Sequence, residues 1–396
     1  MDSQAYVYDA VRTPRGRVKR AGGTLAELTA ADLFAQLLTA LAERGLPPEQ
    51  VDDIIAGVST PTGEQSPDVP RVAVMLAGWP DETPAGMVSR MCCSGLDAIA
   101  SAAGQVRSGM LNLVVAGGAE SMSRVPMMSD RPGVVTDPRL AAATGFVTIG
   151  VSADYTAAKY GFTRQQLDEY GVRSHLRSAA APTWECIVPV KVNGEVVLDR
   201  DEGARADTTL ESMAALPAIF GDDPLWSTVE DRFPGFTRPT EGLHTVGTAP
   251  QLCDGASASV IGSAAAADIL GRSPRARIAG WAHTAVRSPG LDSTIAAARL
   301  ALERAGISID QVTVAELNES FSVSPLLLMS ELKIDPEIVN EHGGAVALGH
   351  PLGASGGIIL ANAIERLERH GGGYGLLVIP AGLGVSMAVV IEAVAS

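Results

Sequence analysis

The chain runs twice through the same grammar of short apolar segments alternating with helical patterns, and this repetition constrains its fold more than any other feature. In the first pass YVYDA (6–10), DDIIAGV (52–58), GMVS (86–89) and LNLVVAG (111–117) read as strands. Residues 31–44, 70–78 and 93–108 read as helices: Leu33, Leu37, Leu38 and Leu41 recur at near-helical spacing, and Gly45 and Gly109 follow as stops. The second pass places strands at 275–283, 312–317, 343–348, 374–379 and 386–393, and helices at 293–305, 321–332 and 354–369. Strands alternating with helices predict an α/β protein with a mostly parallel, buried sheet under helical cover. Two passes of similar size predict an internal structural duplication. The argument is from element order, because residue identity between the passes is low.

A different texture separates the passes. Residues 119–245 hold clusters of Met, Pro and Arg, a helical stretch at 164–180 and a hairpin at 191–199 turning on Asn193-Gly194. The stretch 221–242 is rich in Pro, Gly and Asp. This region reads as an insertion over one end of the sheets, where α/β folds bind ligands at the carboxyl ends of strands. The expected division is therefore an N-terminal half of 1–118 with 246–270, an inserted loop domain of 119–245, and a C-terminal half of 271–396.

Composition narrows the function. Of 396 residues, 46% are hydrophobic and 19% charged, enough for a large core and incompatible with wholesale disorder. A net charge of −15 argues against nucleic acid as a partner, since phosphate binding needs clustered Lys and Arg. Four cysteines without a CxxC, and six histidines without HxxxH or HExxH, argue against a disulfide framework and against a metal site. With no signal-like N-terminus and no long apolar run, the expectation is a cytoplasmic protein that does not span a membrane.

Two strand-to-helix junctions hold residues suited to acyl chemistry. Ser89-Arg90-Met91-Cys92-Cys93-Ser94-Gly95 places a cysteine pair where a helix starts. Unpaired N–H groups and partial positive charge there stabilise a thiolate and can hold an oxyanion. The plain alternative is that Cys92 and Cys93 are small packing residues. The second junction, GGAVALGHPLGASG (343–356), occupies the corresponding place in the second half. If the halves pack about a pseudo-twofold axis, His350 can meet Cys92 and accept its proton. Alone it reads as a core histidine in a Gly-rich loop. Asn318, after the strand 312–317, could position a water or an oxyanion, or simply cap a helix.

Together these blocks resemble the thiolase family (acetyl-CoA acetyltransferases and 3-ketoacyl-CoA thiolases). DAVRTPRGR (9–17), RMCCSGLDAI (90–99), AGGAESMS (116–123), LNESF (317–321) and GGAVALGHPLGASG (343–356) follow the family's blocks in the family's order over nearly the whole chain. The resemblance implies the thiolase fold: duplicated βαβαβαββ halves in five α-β-α-β-α layers, an inserted loop domain facing coenzyme A, and a homodimer or homotetramer. It implies that Cys92 is the acylated nucleophile, that His350 is its base and an oxyanion donor, and that Asn318 holds the water of that oxyanion site. The backbone N–H groups of Cys92 and Gly382 match a second oxyanion hole. No cofactor is implied beyond the coenzyme A thioester itself, or an acyl-carrier thioester.

The resemblance fails at one catalytic position. Where the family has a C-terminal C-x-G-G-G block with an acid/base cysteine, this chain reads Pro380-Ala381-Gly382-Leu383-Gly384. The last cysteine is Cys253, so no shift of register supplies one, and proline cannot carry a proton. The family's GTVTAGNAS-like stretch, which contacts the pantetheine arm, appears as GLHTVGTAP (242–250), making Thr248, Ala249 and Pro250 the matching contacts. An insertion within 221–241 precedes it. His342 and Cys93 also depart from the family's residues, and Leu167-Asp168-Glu169 stands at its QDE.

Three readings follow. The family-typical one is Claisen condensation or thiolysis of 3-ketoacyl thioesters through acyl-Cys92, with Cys93 or His342 replacing the lost proton carrier. Against these roles, Cys93 also reads as a helix-start residue and His342 as a turn residue. The second is acyl transfer or hydrolysis without C–C chemistry. The third is a non-catalytic subunit of an acyltransferase assembly, which leaves the joint presence of Cys92, His350 and Asn318 unexplained. Met127, Met128 and Ile149 are candidate linings of an acyl pocket, or ordinary core.

Overall fold

The computed structural model describes residues 4–20 and 22–394. Its strands are β1 (Tyr6–Arg12), β2 (Gly16–Arg17), β3 (Asp53–Gly57), β4 (Ala85–Val88), β5 (Leu113–Glu120), β6 (Val190–Val192), β7 (Glu195–Leu198), β8 (Cys253–Gly262), β9 (Ala276–Ala285), β10 (Val312–Leu317), β11 (Tyr374–Pro380) and β12 (Val385–Ala393). The main sheet has the order β10-β11-β12-β9-β1-β8-β5-β3-β4, with β2 paired to β8.

The predicted duplication is visible in this order. On one side of the β1–β9 junction, β3 and β5 run parallel, while β5–β8 and β8–β1 are antiparallel. On the other side, β10 and β11 run parallel, while β11–β12 and β12–β9 are antiparallel. The second half thus reproduces four strands of the first with the same pairing senses. Contact between Tyr6-Val7 and Ala276-Arg277 joins the two into one sheet.

Helices supply the other layers. Ala30–Glu43 is opened by a capping box between Thr29 and Asp32, and it buries Leu33, Leu37, Leu38 and Leu41 against the first half-sheet. Ser293–Ala305 covers the second half-sheet in the same way. Between the sheets lie Ser94–Arg107 and Ser355–Arg369, which contribute to one shared cluster with residues of both halves. Five layers result, and the central one is built from the helices that follow the two motif junctions.

Three expectations need correction. The sheet is mixed, not mostly parallel: β3–β4, β3–β5 and β10–β11 are its parallel pairs. Residues 343–348 do not form a strand. Ala345–Leu348 is a single helical turn, closed by bonds from Leu348 N–H to the Gly344 carbonyl (2.9 Å) and from Gly349 N–H to Ala345 (2.8 Å). A short buried apolar run has no periodicity to tell strand from helix, and the Glu319 carboxylate accepts the free N–H of Val346 (2.8 Å). Finally, β8 was not expected. Its sequence, CDGASASVIG, is mostly small residues of low strand propensity, yet all ten positions are buried between β1 and β5.

The insertion is tied down by Arg12. This fully buried side chain pairs bidentately with Asp201 (2.9 and 3.0 Å) and donates to Asn362 Oδ1 (2.9 Å), joining β1, the insertion and the helix Ser355–Arg369. The expected hairpin forms as β6–β7, with Asn193 and Gly194 both at positive φ. The Pro- and Gly-rich stretch around 221–242 has its own small core, in which fully buried Trp226 and Val229 pack with Val147, Val151 and Tyr155. Among the described residues, no helix is long and apolar enough to cross a membrane.

Candidate active site

The nucleophile turn follows β4. Met91 takes a left-handed conformation (φ 51°), which bends the chain sharply before the helix starting at Ser94. Ser94 holds the bend closed: its hydroxyl accepts from Arg90 N–H (2.8 Å) and donates to the Met91 carbonyl (2.6 Å). Cys92 stands on this bend, partly exposed, ahead of the first free N–H groups of the helix. Cys93 points the other way. It is fully buried, and its thiol reaches the Ile379 carbonyl (3.4 Å).

The second motif packs directly on the first, backbone to backbone. The Gly353 carbonyl occupies the space a side chain on Gly95 would fill, and Leu96 N occupies that of Gly356. Glycine is required here because the chains approach more closely than any β-carbon permits. Glu120, at the end of β5, fixes the contact from below by accepting from Ser59 N–H (2.9 Å), Thr60 N–H (3.2 Å), Gln65 Nε2 (2.6 Å) and Gly353 N–H (2.9 Å).

His350 is 5% exposed. Its N–H donates to the Gln251 carbonyl (2.9 Å), and its Nδ1 lies 2.6 Å from Ser355 Oγ. Nε2 is buried and has no partner among the described residues. The end of β11 completes the constellation. Asn318 Nδ2 donates to Ser320 Oγ (2.8 Å), and Ser320 in turn reaches the Pro380 carbonyl (3.4 Å). Two residues on, a β-carbon on Gly382 would lie 3.2 Å from Met91 Sδ. Asn318, Pro380, Gly382 and the Cys92 turn therefore form one continuous surface, with the His350 loop against the same helix start.

Electrostatics set the resting state of this pair. Burial, with the Glu120 carboxylate adding to it, pushes the Cys92 thiol up to about 12. Burial and then the Arg15 guanidinium pull His350 down to about 3. Both shifts favour neutral forms, so the pair rests as thiol and imidazole, not as an ion pair.

A groove of ≈ 590 Å³ borders the segment that holds the His350 backbone. Its wall includes Arg17, His175, Arg205, Met213, Val246 and Gln251, the last being the residue whose carbonyl holds His350. Val246, Gly247, Gln251 and Leu252 line it on either side of the predicted contacts. Of those, Thr248 is fully buried with its hydroxyl bonded to Thr245 N–H (2.8 Å), Ala249 packs among Phe321 and Leu243, and Pro250 is half-buried. Arg17, His175 and Arg205 were not singled out from the sequence. Arg17 stands at the end of the RTPRGR block, while His175 and Arg205 sit in the insertion, where no pattern marks them. Burial and the two arginines pull His175 down to about 4, so it meets the groove as a neutral ring.

Of the two sequence candidates for a substitute proton carrier, Cys93 is buried against the Ile379 carbonyl, one residue before Pro380. Burial holds the Cys93 thiol well above its ordinary value. His342 sits edge-on against Trp184 (5.1 Å) beside Glu341, Arg366 and Arg369. Met127 and Met128 are exposed, and Ile149 packs with Phe220 and Phe321.

Residues 5–265 match the family model for the thiolase N-terminal domain, and residues 272–393 match that for the thiolase C-terminal domain. The chain belongs to the thiolase family. Among curated thiolases, it is 35% identical to the beta-ketoadipyl-CoA thiolase of Pseudomonas putida, covering 98% of this chain and 99% of that one. It is 36% identical to the 3-ketoacyl-CoA thiolase of Pseudoalteromonas translucida, covering 98% of each. The crystal structure of the Bacillus anthracis acetyl-CoA acetyltransferase superposes with a TM-score of 0.85 at 30% identity, covering 99% of each chain. This thiolase is thus an acyltransferase-type enzyme, and the duplicated architecture is that of its family.

Proposed function

We propose that this thiolase takes an acyl group from a coenzyme A thioester onto Cys92, with 3-ketoacyl-CoA the substrate class. The observation that carries the reading is the backbone contact of Gly95 with Gly353, which sets the cysteine turn and the histidine loop side by side. In the first step Cys92 Sγ attacks the carbonyl carbon while His350 Nε2 takes the thiol proton. The N–H groups of Cys92 and Gly382 hold the oxyanion, and Asn318 positions a water for the second one. With an acyl-CoA donor, collapse breaks the C–S bond and the coenzyme A thiolate recovers the proton from His350. With a 3-ketoacyl-CoA it breaks the C2–C3 bond, the enolate takes a proton at C2, and the thiol of a second coenzyme A then takes the acyl group from Cys92. Coenzyme A lies in the groove, its phosphates toward Arg17 and Arg205 and its pantetheine arm along Met213 and Val246. The named activities of the relatives support 3-ketoacyl-CoA thiolysis as the overall reaction.

A second reading is favoured by Pro380. Cleaving the C2–C3 bond of a 3-ketoacyl thioester releases an enolate that must be protonated at C2. Pro380 has no titratable side chain, and the side chain that reaches its carbonyl is the hydroxyl of Ser320, a weak acid. On this reading, acylation and transfer to a thiol or water proceed, while the C–C step is slow.

Intact-protein mass spectrometry after mixing with acetyl-CoA tests the first reading: wild type gains an acetyl mass and Cys92→Ala does not. Absence of the adduct in wild type would overturn it. Following coenzyme A-dependent loss of acetoacetyl-CoA in the same tube separates the two readings.

A further inference from the structure

Arg15 lies between β1 and β2 and is 4% exposed. Its backbone N–H donates to Asp201 Oδ1 (2.9 Å). Its guanidinium is in a different situation: among the described residues neither Nε nor Nη1 finds an acceptor. Buried donors left unmatched are costly, and more so when charged. The nearby carboxylates are committed elsewhere. Glu316 accepts from Arg366 (2.7 Å), and Glu319 accepts from Tyr170, Ser174, Asn340 and Val346.

What Arg15 does face is a cavity of ≈ 10 Å³, which it shares with Glu316, Asn318, Ser355 and Gly349. That space fits about one water molecule, and its lining offers the several polar partners an internal water needs. Ser355 links this space to the base, because its hydroxyl meets His350 Nδ1.

We propose that Arg15 holds a single internal water against Ser355 and is a positioning residue for His350, fixing the tautomer that carries hydrogen on Nδ1 and a free lone pair on Nε2. The proposal rests on the reading of His350 as the base.

Donor and acceptor counting gives the direction of the relay. Guanidinium only donates, so the water must accept from Arg15. The Glu316 carboxylate and Asn318 Oδ1 only accept, so they take its two hydrogens, and its remaining lone pair accepts from the Ser355 hydroxyl. A Ser355 hydroxyl that donates to water leaves its oxygen free to accept, which requires Nδ1–H on the imidazole. Nε2 is then the base toward the nucleophile. The fixed charge of Arg15 also disfavours imidazolium, so the proton taken from Cys92 is readily given up to the departing thiolate.

Among the described residues, the fixed cation acting on His350 is Arg15. Ser355 comes from the central helix and the Gln251 carbonyl from the groove wall. Cys253 packs on Gly349, and Glu120 reaches the same loop at Gly353. Cys92 stands at the facing helix start, where burial keeps it neutral.

Ring ¹⁵N NMR of the histidine-labelled resting protein between pH 5 and 8 reads both the tautomer and the titration, with His350→Gln to assign the signal. In wild type we expect protonated Nδ1 and bare Nε2 throughout. Arg15→Met should mix the tautomers and raise the proton affinity of His350 about tenfold or more, one pH unit. Arg15→Lys keeps the charge and should stay nearer wild type in titration. An Arg15→Met protein that folds, by circular dichroism, and leaves the His350 signals unchanged overturns the proposal. If Arg15→Met does not fold, a high-resolution crystal structure of wild type decides: a water bonded to both Arg15 and Ser355 supports it, and a dry cavity overturns it. None of these measurements needs turnover, so failure of the acyl-Cys92 reading would register separately in the mass spectrometry.

Discussion

A β-carbon placed on Gly95 would lie 2.4 Å from the carbonyl oxygen of Gly353. Nothing at that distance can be accommodated without moving backbone on one side, and the backbone in question holds the nucleophile turn and the histidine loop. Gly95→Ala should therefore cost about 100-fold or more in the rate of Cys92 acylation, the usual effect of an ångström-scale misplacement of reacting groups. Gly86→Ala, where a β-carbon meets nothing within 4 Å, should leave the rate unchanged. Stopped acylation reactions read by mass spectrometry compare the two, and equal rates would remove the packing argument.

The neutral resting pair makes a prediction for pH. With His350 near 3 and Cys92 near 12, neither group changes charge between pH 5 and 8, so the single-turnover acylation rate should be flat across that window. An inflection near pH 6–7 that disappears in His350→Asn would mean that the histidine titrates as an ordinary one.

The same shift has a stability consequence. The folded value for His350 lies below its unfolded one, so as pH falls below about 6.5 the unfolded chain binds the proton and the folded chain does not. Folding stability from this residue is present above that pH and declines below it, by at most ~1.4 kcal/mol per pH unit. Glu120 and Glu316, whose burial raises their values, act in the opposite sense. The difference in urea unfolding between wild type and His350→Asn isolates the histidine, and it should widen in favour of the variant from pH 6.5 to 5.

Pro380→Cys tests whether the lost proton carrier is what limits C–C chemistry. A thiol placed at the end of β11, two residues from Gly382, should raise acetoacetyl-CoA thiolysis by about 10²–10⁴-fold, the range for a positioned general acid. Acylation by acetyl-CoA should be unaffected, because that proposed half-reaction uses no side chain at position 380. If thiolysis in wild type already matches the variant, another group protonates the enolate.

The groove arginines should act on binding and not on chemistry. Arg17→Ala and Arg205→Ala remove charge-assisted contacts worth about 1.5–3 kcal/mol each when formed, so KM for coenzyme A should rise about tenfold or more, with kcat little changed. A matched fall in kcat would place these residues nearer the reacting atoms.

Much of this was legible in the residues. Periodic leucines and glycine stops located the outer helices, and the matching places of the two junctions anticipated the contact of Gly95 with Gly353. What periodicity could not supply was the conformation of short buried runs. GGAVAL and CDGASASVIG are both buried, yet one is a helical turn and the other a central strand. The difference is made by Glu319 reaching Val346 N–H in the first case and by β1 and β5 flanking the second. Arg15, Ser355 and His175 escaped notice for a related reason. Their roles depend on which cavity or groove they border, and that is set by segments distant in the chain.

The duplicated halves also bear on when this enzyme becomes an enzyme. Cys92 belongs to the first half and His350 to the second, and their motifs meet where Gly95 approaches Gly353 and Leu96 approaches Gly356. During synthesis Cys92 emerges long before His350 exists. Contacts this distant form late, after the cost of closing the intervening chain has been met. On the proposed roles, the cysteine has no general base or completed oxyanion site until the second half docks. A partly made chain can therefore meet acyl thioesters without being committed to reaction, and catalytic competence reports that the whole molecule has assembled.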